Sequence, residues 1–166
     1  MTRDPAFEAI CEALNPRRSA RAWHGGPTPL GALRGVAAET AAWQPAPGRP
    51  SIWALTLHIA YWKYAVRRRL SPEGSERFRR HPANFPDVPS ETTAAAWRGD
   101  LMLLREEHER LARAVDSFPV DRLATKAGTR KRFTHADLIA GIAMHDAYHT
   151  GQIQLLKRLW QSRRAR

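Results

Sequence analysis

The sequence predicts an all-α fold, a helix bundle with one short extra helix and a long crossover loop. Two observations lead to this prediction. Four long stretches repeat apolar residues three and four positions apart, which is the spacing of one helix face. Residues that cap helices stand where these stretches begin. The chain has 166 residues, the usual size of one domain, so residues 1–166 are expected to share one fold.

The first two predicted helices lie near the N-terminus. One covers residues 5–23, and Pro16 breaks or kinks it because proline lacks the N–H that a helix interior needs. Thr28 followed by Pro29 has the pattern of an N-cap with proline in the first turn, which predicts a short helix to about Thr40. The apolar face of the first helix is formed by Phe7, Ile10, Cys11 and Leu14.

Two longer helices are predicted on either side of the crossover loop. Ser51 caps the first of them, which ends near Leu70. Residues 71–90 are rich in proline and charge, and loops of this length are often functional. Ser90 is predicted to cap the next helix, which Pro119 ends. The apolar stripe of the helix before the loop is Ile52, Leu55, Ile59, Trp62 and Val66. The stripe of the helix after the loop is Trp97, Leu101, Leu104, His108, Leu111 and Val115.

The last predicted helix follows a short mixed segment, residues 124–133, which we expect to be extended. Thr134 and Asp137 form a capping-box pattern, with aspartate in place of the usual glutamate or glutamine. The helix is predicted to end near Trp160, and the basic tail, residues 161–166, is expected to fray. Its stripe is Leu138, Ile142, His145, His149, Ile153, Leu156 and Trp160.

Composition favours a soluble cytoplasmic protein. Cys11 is the only cysteine, which excludes an intramolecular disulfide and fits a reducing compartment. Charges interrupt the N-terminus, and polar residues break the longest apolar stretches before they reach the length of a membrane span, so neither a signal peptide nor a membrane-spanning helix is expected. The net charge is +11, but the 23 arginines and 4 lysines are scattered along the chain. They therefore favour a solvated basic surface over a nucleic-acid site.

Three histidines predict a metal site. His145 and His149 are four residues apart, so a helix places both imidazoles on one face, one turn apart. Because this face also carries the apolar stripe, both rings should point into the bundle. His58 lies between Leu55 and Trp62 on the inner face of another predicted helix. Three imidazole nitrogens can hold one divalent ion and leave open positions, as in catalytic sites.

Other roles for these side chains stay open. Buried imidazoles need partners for their nitrogens, and hydrogen bonds within the core would satisfy them as a metal would. His108 also falls on an apolar stripe. It could be a fourth ligand, a hydrogen-bond partner of a ligand or a hydrogen-bonded core histidine, and the last two roles are favoured. Asp146 points to another side of the helix and is expected to bond another helix or face solvent. Cys11 is expected to pack in the core.

The chain resembles the DinB-like (YfiT-like) superfamily of metal-dependent helix bundles. The last matching segment is the most specific, because its HxxxH is followed by Gly151 and Gln152 and then by an aliphatic run. The matching segments are AWHGGPTPLGAL (22–33), SIWALTLHIAYW (51–62), AWRGDLMLLREEHERL (96–111) and HDAYHTGQIQLLKR (145–158).

This resemblance implies an up-down-down-up four-helix bundle that assembles as a homodimer. It implies a divalent metal ion, zinc or nickel before others, held by His58, His145 and His149. Similar proteins are thiol transferases that use low-molecular-weight thiols such as bacillithiol or mycothiol. A metal ion of this kind lowers the pKa of a bound thiol or water.

The leading hypothesis is therefore a metal-dependent enzyme, an S-transferase or a hydrolase-like enzyme acting on a small electrophile. Gln152 would orient a ligand or its partner, and Trp62 and Tyr148 would line the pocket, although packing is the favoured role of both. The alternative is a non-catalytic metal-binding or ligand-binding bundle. A nucleic-acid-binding module ranks last, because the sequence has no helix-turn-helix, zinc-finger or aromatic-basic RNA motif.

Overall fold

A computed structural model describes residues 4–16, 25–71, 76–127 and 132–164 of the chain. The described part is mostly helical, with an isolated antiparallel bridge between Lys126 and Thr134 and no strand among these residues. The prediction of an all-α fold is confirmed. No helix in these ranges combines the length and the apolar character needed to cross a membrane.

Helix α1 spans Pro5–Leu14, shorter than predicted. The Asp4 carboxylate accepts hydrogen bonds from the N–H groups of Ala6 and Phe7 at its start. Asn15 ends the helix one residue before Pro16, whose ring disfavours helical backbone in the residue before it. The last part of the predicted helix, residues 17–23, lies outside the described residues. Cys11 is buried in the core, as expected.

The predicted short helix is two helices, α2 (Pro29–Ala32) and α3 (Ala38–Ala42). Thr28 caps α2 as predicted, with its hydroxyl accepting from the Gly31 N–H at 3.2 Å. Gly35, between the two helices, has a φ of +72°, a left-handed conformation that glycine adopts at little cost and that ends a right-handed helix.

Helices α4 (Ile52–Leu70) and α5 (Ala94–Asp116) pack along each other. Ser51 caps α4 as predicted. The predicted cap of α5 was wrong: Thr93, rather than Ser90, accepts the free N–H of Ala96. An N-cap accepts from an N–H two or three residues further on, and Ser90 lies too far before a helix that begins at Ala94. The loop before α5 is thus longer than the sequence indicated.

Helix α6 spans His135–Arg164 and passes the predicted end at Trp160. The predicted capping box is confirmed: Thr134 N–H donates to the Asp137 carboxylate at 2.8 Å, and Asp137 N–H donates to the Thr134 hydroxyl at 3.0 Å. Helix α6 packs against α1, α2 and α4.

Two apolar clusters form the core, and a polar layer separates them along the helices. On α6 the first cluster ends at Ala143 and the second begins at Ile153. On α5 the polar layer lies between Leu104 and Leu111. Its buried polar residues are His58 and Lys63 on α4, Glu107 on α5, and Asp146, His149 and Thr150 on α6. The candidate site lies within this layer.

Trp97 and Trp160, which stand on the predicted apolar stripes of two helices, are both buried. Trp97 lies 5.0 Å from Trp53, and its indole N–H donates to the carbonyl of Val36. Trp160 packs 5.5 Å from Trp43, measured between ring centroids. Any dimer face must therefore be formed by other side chains.

Candidate metal centre

The three predicted histidines come together in the polar layer. One ligand nitrogen from each of His58, His145 and His149 can be chosen so that all three lie within 4.8 Å of one another. The pair on α6 is one turn apart, with ring centroids separated by 4.4 Å. His58 reaches the pair from α4, which packs against α6 along this layer. The residues of the predicted ligand set are thus neighbours in the fold.

The crossover loop orients His58. Its Nδ1 lies 2.6 Å from the carbonyl oxygen of Asn84, which can only accept a hydrogen bond, so Nδ1 carries the proton. The Nε2 lone pair of His58 then points towards Nε2 of His145, 3.0 Å away. The Phe85 ring stacks on the His58 imidazole with centroids 3.9 Å apart. Asn84 adopts a left-handed φ of 71°, which asparagine tolerates better than most residues.

Sequence reasoning missed Asn84 and Phe85. The only signal was the length of the loop, which indicated a functional segment without naming a residue. The contact of Asn84 with His58 is made by a backbone carbonyl, which any residue possesses, so no residue type could mark it.

Gln152 orients His149 in the same way. Its Oε1 lies 2.7 Å from Nδ1 of His149, so the amide oxygen accepts the Nδ1 proton and leaves Nε2 unprotonated. A ligand histidine usually donates its second N–H to such a partner, which fixes the tautomer and the ring plane. His58 and His149 both have the partner that this role requires.

The two predicted pocket residues differ in placement. The Trp62 ring lies 6.1 Å from that of His145, and its N–H donates to the side-chain oxygen of Asn84 at 2.8 Å. Tyr148 touches His149, with centroids 4.9 Å apart, but 64% of its surface is exposed. Trp62 therefore borders the site from α4, while Tyr148 stands at its solvent edge.

Burial keeps the three imidazoles neutral at physiological pH. It lowers the pKa of His145 to about 3, with further lowering from His149 and His58. Burial also lowers the pKa of His58 and of His149, although the hydrogen bonds to Asn84 and Gln152 partly oppose it. Because a metal binds unprotonated imidazole, these shifts favour metal binding near neutral pH.

The donor set fits a divalent ion. Two nitrogens that share an ion at 2.0–2.1 Å lie about 2.8–3.4 Å apart for angles between octahedral and tetrahedral. The 3.0 Å between Nε2 of His58 and Nε2 of His145 falls in that range. A hydrogen bond between these two nitrogens would have the same length. Among the described residues, Nδ1 of His145 is buried with no hydrogen-bond partner, so this ring, unlike those of His58 and His149, has no neighbour that fixes its tautomer.

Asp146 is not part of the ligand cluster. It forms a buried ion pair with Lys63 of α4, and the lysine side chain is 1% exposed. This confirms the expectation that Asp146 bonds another helix. Burial raises the pKa of Asp146, and the Lys63 ammonium partly offsets that effect. The pair links α4 and α6 one residue from His145.

The remaining histidines lie apart from the cluster. His108 has Nε2 3.4 Å from the Asn15 side chain, and burial together with nearby Lys63 lowers its pKa to about 3. Its hydrogen bond is thus with the residue that follows α1, and not with the three clustered histidines. Buried His135 pairs with Thr125, while His81 is exposed. His24 lies outside the described residues.

One buried acid lies on the inner face of α5. Glu107 stands three positions after Leu104 and four before Leu111, and it is 4% exposed. The Arg67 guanidinium compensates its charge, with Nε 3.1 Å from the carboxylate. The helix spacing turns Glu107 inward, and the arginine from a neighbouring helix supplies the counter-charge that a buried carboxylate needs.

Fold and site together define a helical protein with a three-histidine cluster that can hold a metal ion. The family comparison agrees with this class. The model of the DinB superfamily matches residues 29–153, three quarters of the chain and all three histidines, and the protein belongs to this superfamily. No curated protein and no solved structure gives a significant match.

Proposed function

We propose that this protein is a metal-dependent enzyme that transfers a low-molecular-weight thiol, or water, to a small electrophile. The observation that supports it best is the cluster of His58, His145 and His149, two of which have partners that aim an unprotonated nitrogen at the others. Imidazole ligands suit zinc and nickel, and three of them leave positions for a substrate.

The chain's own groups have separate tasks in this proposal. The three histidines hold the ion, and a bound divalent ion lowers the pKa of a thiol or water in contact with it. The carbonyl of Asn84 and the amide of Gln152 keep the ligand rings in place. Phe85 covers the His58 ring and limits water on that side.

Cobalt(II) and a colourless thiol can test the proposal. The visible spectrum of the cobalt-loaded protein should change when 2-mercaptoethanol is added, because the thiol reaches the ion. With the zinc-loaded protein, 1-chloro-2,4-dinitrobenzene should react with the thiol faster than in buffer. In that reaction a C–S bond forms, chloride leaves and the thiol proton passes to solvent.

The matched control is His149→Ala, which should lose both effects. If no thiol or water analogue altered the cobalt spectrum, the result would contradict the proposal that the ion has a coordination position open to substrate. It would favour the second candidate, a non-catalytic metal-binding bundle that uses the same three histidines.

We further propose that α1, α4, α5 and α6 follow the up-down-down-up order of the superfamily and that the protein is a homodimer. Four exposed apolar side chains support the dimer because they form one stripe on α6: Met144, Tyr148, Leu155 and Leu159. Placing a charge in this stripe, with Leu155→Glu, should convert the dimer to a monomer in sedimentation equilibrium. The exposed Met102→Glu on α5 should leave the mass unchanged, and a monomeric parent would contradict the proposal.

A further inference from the structure

A cleft of about 280 Å³ opens beside the histidine cluster, between α4 and the first half of α6. Its walls are apolar: Trp62 and Val66 come from α4, and Leu138 and Ile142 from α6. His145 lines the same cleft, so a molecule bound there touches one of the three histidines directly. The indole of Trp62 is held by its hydrogen bond to Asn84, so this wall is fixed in place.

We infer that this cleft binds the uncharged apolar body of the substrate, an aromatic or branched aliphatic group, and presents its reactive end at His145. The inference rests on the proposed function, since it names the class of electrophile for that site. The size is suitable, because a cavity of about 150 Å³ accepts a benzene ring and this cleft is nearly twice as large.

Charge in the cleft argues against an anionic body. The charged side chain along its lining is Asp137, whose pKa is lowered by the hydrogen bonds from Thr134. It is therefore an anion at neutral pH and repels carboxylates and sulfonates. Despite the net charge of +11, no basic side chain within the described ranges lines this cleft.

Gly141 offers a way to close the cleft without disturbing the helix. It lies in the lining, and a Cβ built on it meets no atom within 4 Å. Leucine is a better helix former than glycine, so Gly141→Leu should fold and fill the space. Gly99→Leu on α5 is the matched control, since Gly99 is also helical and has the same free space but does not line the cleft.

The experiment is titration calorimetry of the full-length protein with 2-naphthol and with 2-naphthalenesulfonate, a poor metal ligand of similar size. We expect 2-naphthol to bind and Gly141→Leu to weaken it at least about tenfold, with less than about a twofold change in Gly99→Leu. The sulfonate should bind at least about tenfold more weakly than 2-naphthol.

Three results would overturn the inference. They are no binding of 2-naphthol, equal binding by the parent and Gly141→Leu, and sulfonate binding as tight as that of the neutral ring. Repeating the titration with His149→Ala separates the two proposals, because the cleft should still bind 2-naphthol there. Absence of thiol chemistry in the parent protein, with intact naphthol binding, would overturn the proposed function and leave the cleft as assigned.

Discussion

Replacing Lys63 with methionine is expected to lower the free energy of unfolding by about 3–5 kcal/mol, because it leaves the Asp146 carboxylate buried without its counter-charge. The side chains of both residues are almost fully buried, and their pair joins α4 to α6 in the polar layer. Urea denaturation followed by circular dichroism measures the change. No comparable loss is expected for the exposed Lys126→Met, which should stay within about 0.5 kcal/mol.

The double variant Lys63→Met with Asp146→Leu separates charge from packing. Removing both charges should recover most of the lost stability, since an apolar pair of similar volume can replace a buried ion pair at little cost. If Lys63→Met alone changed the unfolding free energy by less than about 1 kcal/mol, the pair could not be buried as described.

Replacing His149 with alanine is expected to abolish stoichiometric metal binding. The parent protein, loaded with zinc and dialysed, should hold one ion per chain by elemental analysis. The loss should exceed the effect of Gln152→Ala, which removes only the partner of His149 Nδ1 and should weaken zinc about 10–100-fold. Competition with a chromogenic chelator measures both affinities.

The exposed histidine His81 provides the matched control for that experiment. His81→Ala removes an imidazole outside the cluster and should leave zinc affinity unchanged. A parent protein that holds no zinc or nickel after reconstitution would show that the three histidines are a hydrogen-bonded core cluster.

The sequence predicted that these three histidines cluster, because much of their geometry is local. Two histidines four apart on one helix must share a face, and the phase of the apolar stripe turned that face inward. His58 followed from the same argument on α4. The cap of α6 was equally local, since Thr134 and Asp137 satisfy each other's N–H groups within one turn.

Features that depend on a distant part of the chain were not predictable in this way. The Asn84 carbonyl meets His58 across 26 positions, and its contact has no residue-type signature. The counter-charge of buried Glu107 is Arg67 of α4, 40 positions away. The start of α5 at Ala94 also depends on where the crossover loop joins the helix. Serine and threonine are both good N-cap residues, so residue type alone could not decide between Ser90 and Thr93.

The separation of His58 and His145 along the chain has a consequence for how the protein opens. The two residues are 87 positions apart, on α4 and α6. A backbone fluctuation that separates these helices at this level must also separate the two imidazoles. An ion bound to both would raise the free energy of that opening by about 4 kcal/mol at a thousandfold excess over its dissociation constant. Amide hydrogen exchange in the middle of α4 and α6 would then report the metal supply, and the rate at which the cell degrades this protein would depend on the same quantity.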